Sequence, residues 1–291
     1  YGVTCYAWVN ETLGPRRGLF LGIFAISLVL GLIAAGLAVA FLLSLAGSWR
    51  VFYGIAAALT LVPMAPLWVL LPPHTYAPVP RRAVRIALRN PDVLLTGAQQ
   101  LLFGVYSAGY SWIPLFLIQD RGYGVADAAL VLVVSAVLWA AGAVLFGRWA
   151  DRGWPLTVVA LGSFGGAAAF AVFTLWDVPL GYWAGLVVFS FLWPAGAAVP
   201  LTFLGQRLGP TSQRTEVGVL ENTFLLGDGI GASLVGYLAT VWSLRLGMTV
   251  LPVGAAIAAG ILFAIAYGVH RGSHEADGSP STSASDAGTG K

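Results

Sequence analysis

"GRWADRGWP" (147–155) places Arg148, Asp151 and Arg152 within five residues, between two stretches that carry no charge at all, 128–147 and 153–176. Each stretch has the roughly 20 residues that a helix needs to cross a hydrocarbon core. The motif therefore reads as a tight turn between two membrane-crossing helices. Working outward, the same pattern fills the chain: 18–49, 51–80, 93–119, 178–206 and 246–269 are also uncharged and apolar. Charged residues are 9% of the chain, against roughly 25% in an ordinary soluble domain. A soluble fold cannot hide that much apolar surface, so the expected class is an all-α polytopic membrane protein.

Eight spans follow: about 18–46, 51–71, 93–118, 128–146, 156–175, 180–204, 216–241 and 246–269. Residues 1–10, "YGVTCYAWVN", read as the end of a ninth. Trp49, Trp68, Trp112, Trp154, Trp176, Trp183 and Trp242 fall near span ends, where an aromatic belt belongs. If the loop before the first span lies inside, twelve of the fifteen Lys and Arg residues are inside, and Arg50, Arg121 and Arg245 are outside. That bias sets the orientation, with the opening stretch and the C-terminus cytoplasmic. The "NET" sequon (10–12) then faces the wrong side for glycosylation. The connection 72–92 carries four arginines and five prolines, and its basic part suits an anionic lipid surface. The low-complexity tail 272–291 is expected to be disordered.

An internal repeat orders these spans. "LGPRRGLFLGIFAISLVLGLIAAGLAVAF" (13–41) resembles "LGPTSQRTEVGVLENTFLLGDGIGASLVGY" (208–237); setting Gly22 on Gly218 also sets Gly31 on Gly227. Both copies run from inside to outside, and each precedes a short turn with Trp and Arg. Parallel repeats imply two halves related by an axis along the membrane normal.

With the repeat six spans apart, the basic loop at 72–92 and the "GRWADRGWP" turn, the chain resembles a major facilitator superfamily transporter. The turn is similar to the family's glycine–aspartate–arginine loop, with Gly153 directly after Arg152 and Trp154–Pro155 in place of the trailing basic residues. The resemblance implies a twelve-helix bundle of which about eight helices are present, the first three to four being absent from this piece. It divides the chain into the remainder of the N-terminal half (1–71), a cytoplasmic linker (72–92), a six-helix C-terminal half (93–271) and the tail (272–291). It also implies a gating loop at Gly147, Arg148, Asp151 and Arg152, in which Asp151 would reach the start of the first span near Arg17 to Leu21. A carboxylate there would meet the positive end of a helix. The plainer reading is a cytoplasmic turn that gathers Asp, Gly and Arg for turn chemistry and topology.

Ionisable groups inside the membrane are functional candidates by default. Glu221 and Asp228 lie seven residues apart in the seventh span, on one face and about 10 Å apart along the axis. Asp228, near mid-membrane, suits proton binding or substrate binding; the alternative is a carboxylate neutralised by an arginine or by backbone donors. Asn222 neighbours Glu221. In the third span Gln99, Phe103, Tyr106 and Tyr110 follow i, i+4, i+7 and i+11, with Gln100 beside them. That face is too polar for lipid, so it lines either a cavity or another helix. Trp193–Pro194 and Pro200 should bend the sixth span.

No His or Cys cluster has metal-ligand spacing, and no HExxH or membrane-depth Ser–His set is present, so neither a cofactor nor an enzyme is expected. The expectation is a secondary transporter in the plasma membrane, multi-pass and monomeric. It would move a small-molecule substrate by alternating access with protons as the candidate coupling ion, and bind lipid but no nucleic acid. The competing class is a transporter-like receptor or a remnant without flux.

Overall fold

A computed structural model describes residues 89–205 and 213–277, together with isolated positions between Leu19 and Arg85. Most of the spans read at 18–46 and 51–71, the opening stretch, most of the 72–92 linker and the end of the tail lie outside the described residues. Within them there are helices and no strand. In chain order they are α1 (Pro91–Gln119), α2 (Val125–Asp151), α3 (Pro155–Leu175), α4 (Pro179–Leu192), α5 (Pro194–Gly205), α6 (Gln213–Val241) and α7 (Leu244–Asp277).

Local chemistry sets the helix starts. Proline opens α1, α3 and α4, where its missing N–H is no loss and its φ is already helical. The Asn90 side chain caps α1 by accepting from Asp92 N at 3.0 Å. The 180–204 span is one membrane crossing in two pieces, because Trp193 separates α4 from α5 just before Pro194. α3 is interrupted too, by a π turn at Leu161–Gly165. α7 continues to Asp277, past the start of the low-complexity tail.

α1 is the hub, with α6 and α7 packed along it and the α3–α4 and α2–α4 pairs closing the bundle. Phe116, Phe170, Phe173 and Phe189 fill the larger core; Phe146, Val159, Phe203 and Phe263 fill a smaller one. The tightest seam is α1 against α6. A methyl group on Gly104 would strike Phe224 O and Asp228 N, and one on Gly227 would strike the Leu101 carbonyl. Glycine at these positions lets the two backbones touch. Elsewhere apolar side chains face outward. Leu130, Val134 and Val137 on α2, and Leu226, Ile230 and Leu234 on α6, are exposed at helical spacing, as lipid or a further helix requires.

One end of the bundle is tied by charge. Arg121 in the α1–α2 turn pairs with Asp177 in the α3–α4 turn at 2.9 Å, and Arg245 at the start of α7 pairs with both Asp177 and Asp120 at 2.9 Å. The Arg121 guanidinium also donates to the carbonyls of Phe173, Thr174 and Trp176 and lies 4.7 Å over the Tyr182 ring. Its side chain is 7% exposed while that of Asp177 is 71% exposed. The Arg245 hydrogen bond and charge, followed by those of Arg121, hold the Asp177 carboxyl below its ordinary pKa of 3.8.

Candidate functional site

The polar face of α1 lies inside the helix pack. Gln99, Phe103 and Tyr106 are fully buried, Gln100 nearly so, and Tyr110 and Trp193 are half-buried. Gln99 Nε2 donates to Gly196 O at 3.4 Å, just beyond the α4–α5 break. Around it the aromatic rings meet edge to face, tilted or stacked. Phe103 is 5.3 Å from Tyr106 and 5.9 Å from Trp193, and Tyr110 stacks on Trp193 at 6.3 Å. The four α1 residues that share a helical stripe therefore converge on the α4–α5 break.

This aromatic pack encloses polar atoms without partners. Gln99 Oε1, Tyr106 OH, Trp193 Nε1 and Trp139 Nε1 accept or donate no hydrogen bond among the described residues, nor do the Ser163 and Ser190 hydroxyls. A buried polar group left this way costs about 1–3 kcal/mol. Trp139 on α2 was invisible as a candidate in the sequence, where it sits in an uncharged run. Its ring lies 5.6 Å from Trp193, a contact between residues 54 positions apart that no local pattern signals.

Across the Gly104 seam, Asp228 lies midway along α6, half-buried, with the Ser107 side chain within hydrogen-bonding reach. Glu221 is half-buried nearer the start of the same helix. Asn222 is exposed and donates from Nδ2 to the Gly218 carbonyl of its own helix at 2.7 Å. The structure thus brings Asp228 beside α1, while Asn222 is turned outward.

The 147–155 turn forms a separate feature at the other end. Gly153 has φ +89°, a left-handed conformation that glycine adopts freely. Gly153 N donates to Ala150 O at 3.0 Å and Trp154 N to Trp149 O at 3.4 Å. These are the two bonds of a Schellman cap, which closes α2 and brings the residue after the glycine back onto the last turn. Gly147 is buried, while Arg148 and Arg152 are exposed and form no ion pair among the described residues. Asp151 Oδ2 accepts from Leu19 N at 2.9 Å, across 132 positions of sequence.

Comparison with known proteins agrees with this architecture. The family model described as Major Facilitator Superfamily matches residues 1–217. The cis,cis-muconate transport protein of Acinetobacter baylyi is 26% identical over 151 residues, which are 52% of this chain and 36% of that protein. The crystal structure of the Major Facilitator Superfamily transporter FucP in the outward conformation superposes with a TM-score of 0.56 at 15% identity, covering 75% of this chain and 54% of that one. The chain thus spans about a third to a half of the length of these relatives, and the second likeness is one of fold. With three quarters of its residues inside the family match and its helices in the same arrangement, the chain belongs to the Major Facilitator Superfamily of membrane transporters.

Proposed function

We propose that this chain is part of a secondary active transporter that moves a small solute by alternating access, coupled to protons through Asp228. The observation that carries this reading is the setting of Asp228: a carboxylate midway along a membrane span, pressed against the α1 backbone at Gly104 and within reach of Ser107. A carboxylate in that position is costly to leave charged and so suits a site that gains and loses a proton. Gln99, Gln100, Tyr106, Tyr110 and Trp193 would supply hydrogen bonds and ring faces to the solute once the helices part. Glu221 and Asn222 are secondary candidates. In this reading 93–271 forms the C-terminal half, 1–71 the remainder of the N-terminal half, 72–92 the cytoplasmic linker and 272–291 the tail. The Asp151–Leu19 contact joins the cytoplasmic ends of the halves. The protein works as a monomer in the plasma membrane.

Proton-driven uptake into vesicles containing the full-length protein tests this, with cis,cis-muconate as the first solute to try. Asp228→Asn should abolish uptake driven by a pH gradient while leaving solute exchange, because an amide resembles the protonated acid but cannot release the proton. If Asp228→Asn and Gln99→Ala both leave flux and solute range unchanged, the site assignment is wrong. A full-length protein with no flux for any solute would favour a receptor-like role.

A further inference from the structure

The Schellman cap that ends α2 has an effect beyond closing the helix. It folds Trp154 back beside Trp149, and with Arg152 and Thr157 the two indoles line a cavity of about 330 Å³. Trp149 is 38% and Trp154 62% exposed, so the cavity is open at the surface. It sits where two membrane spans, Val125–Asp151 and Pro155–Leu175, meet at their ends. That is the depth of the lipid headgroups, where indoles are most stable because one edge is apolar and the other wet.

Charge narrows the occupant. Arg152 carries a guanidinium at the cavity wall without an ion pair among the described residues, and Arg148 stands exposed one turn earlier. The nearest carboxylate in sequence, Asp151, is bonded to Leu19 N. The α2 carbonyls of Trp149 and Ala150, which would repel an anion, already accept from the cap amides. Among the described residues the cavity is therefore an apolar cleft with a cation at its rim. We infer that this cavity binds an anionic phospholipid, its phosphate on Arg152 and its glycerol and upper acyl chain between Trp149 and Trp154. A free phosphate would use the arginine but gain nothing from the indoles, so the observations favour the lipid. Arg gives the phosphate two parallel donors, which Lys cannot.

The full-length protein, purified from mixed phosphatidylglycerol and phosphatidylcholine vesicles, supplies the test through the lipid it retains, read by native mass spectrometry. Phosphatidylglycerol should be retained over phosphatidylcholine. Arg152→Gln should lower that retention about fivefold, the effect of one basic residue at an anionic surface. Trp154→Ala should lower it as well, and Arg152→Lys should give retention between those of wild type and Arg152→Gln, because it keeps the charge but not the paired donors, which separates loss of charge from misfolding. Equal retention of the two lipids would overturn the proposal, as would unchanged retention in Arg152→Gln. Displacement of the lipid by inorganic phosphate at matched concentration would instead assign the cavity to a free anion and overturn the lipid reading. The outcome does not depend on which solute is transported or on whether flux occurs.

Discussion

The two ends of the described bundle handle charge in opposite ways. At the end of Asp120, Arg121, Asp177 and Arg245, two acids and two bases satisfy one another and tie three turns into one rim. At the end of 147–155, two arginines stay exposed without an ion pair among the described residues, and the Asp151 carboxylate accepts from the Leu19 amide far away in sequence. Removing the buried guanidinium at the centre of such a network strands its partners, whereas one side chain–amide hydrogen bond contributes about 0.5–1.5 kcal/mol net. The difference teaches how charge is used along one bundle: the rim ties the ends of α1, α2, α3, α4 and α7 together, and the other end turns its arginines outward.

The strongest way to break this comparison is to remove the centre of the rim. Arg121→Ala strands three carbonyls and leaves the Tyr182 ring uncovered. The expected loss is about 2–3 kcal/mol, seen as a lower thermal midpoint in detergent. Arg148→Ala should cost far less, and equal losses would sink the distinction between the ends. Next in size, Asp151→Ala should speed amide hydrogen exchange at Leu19 by roughly tenfold while leaving exchange across the rim unchanged. An unchanged rate at Leu19 would mean that the contact contributes nothing in solution.

The smallest effects sharpen the account of the rim. Because the folded pKa of Asp177 is depressed, its contribution to stability is complete above 3.8 and is lost as pH falls through the lower folded value. Thermal midpoints should therefore show no rim contribution to pH dependence between about pH 5 and 8. A rim-dependent drop near neutral pH, absent in Asp177→Asn, would contradict the pairing. At high salt the difference between wild type and Asp177→Asn should shrink, because that carboxylate faces water and its pairs are screened.

Much of the architecture was legible because membrane spans announce themselves by the absence of charge. The run 128–147 became α2, and the run 93–119 became α1, to within a few residues. The break at Trp193–Pro194 was legible for the same local reason, a proline that cannot continue a helix. The rim was not, since Asp120 and Arg245 are 125 positions apart and each looks like an ordinary turn charge. The site was legible in part. The stripe of Gln99, Phe103, Tyr106 and Tyr110 follows from helical spacing, but its closure against α4 and α5, and the place of Trp139 beside it, depend on packing that no window of sequence contains. Asn222, a polar residue beside a candidate acid, donates to its own helix, a local bond that the sequence pattern does not distinguish from a cavity-facing group.

The π turn at Leu161–Gly165 also bears on how this chain may be compared with others. A π turn is one residue inserted into an α-helix, so α3 carries a register shift that a gap-free alignment would spread along the whole span. Deleting a single residue there would restore regular α-helical bonding and could leave the span intact. Because the wider turn takes up the extra residue, Pro155–Ala160 would keep its facing relative to Gly166–Leu175. A relative that lacked the extra residue would present the start of this helix on the same side, one residue out of step in sequence. For α3, matching residues by position alone would pair side chains that point in different directions.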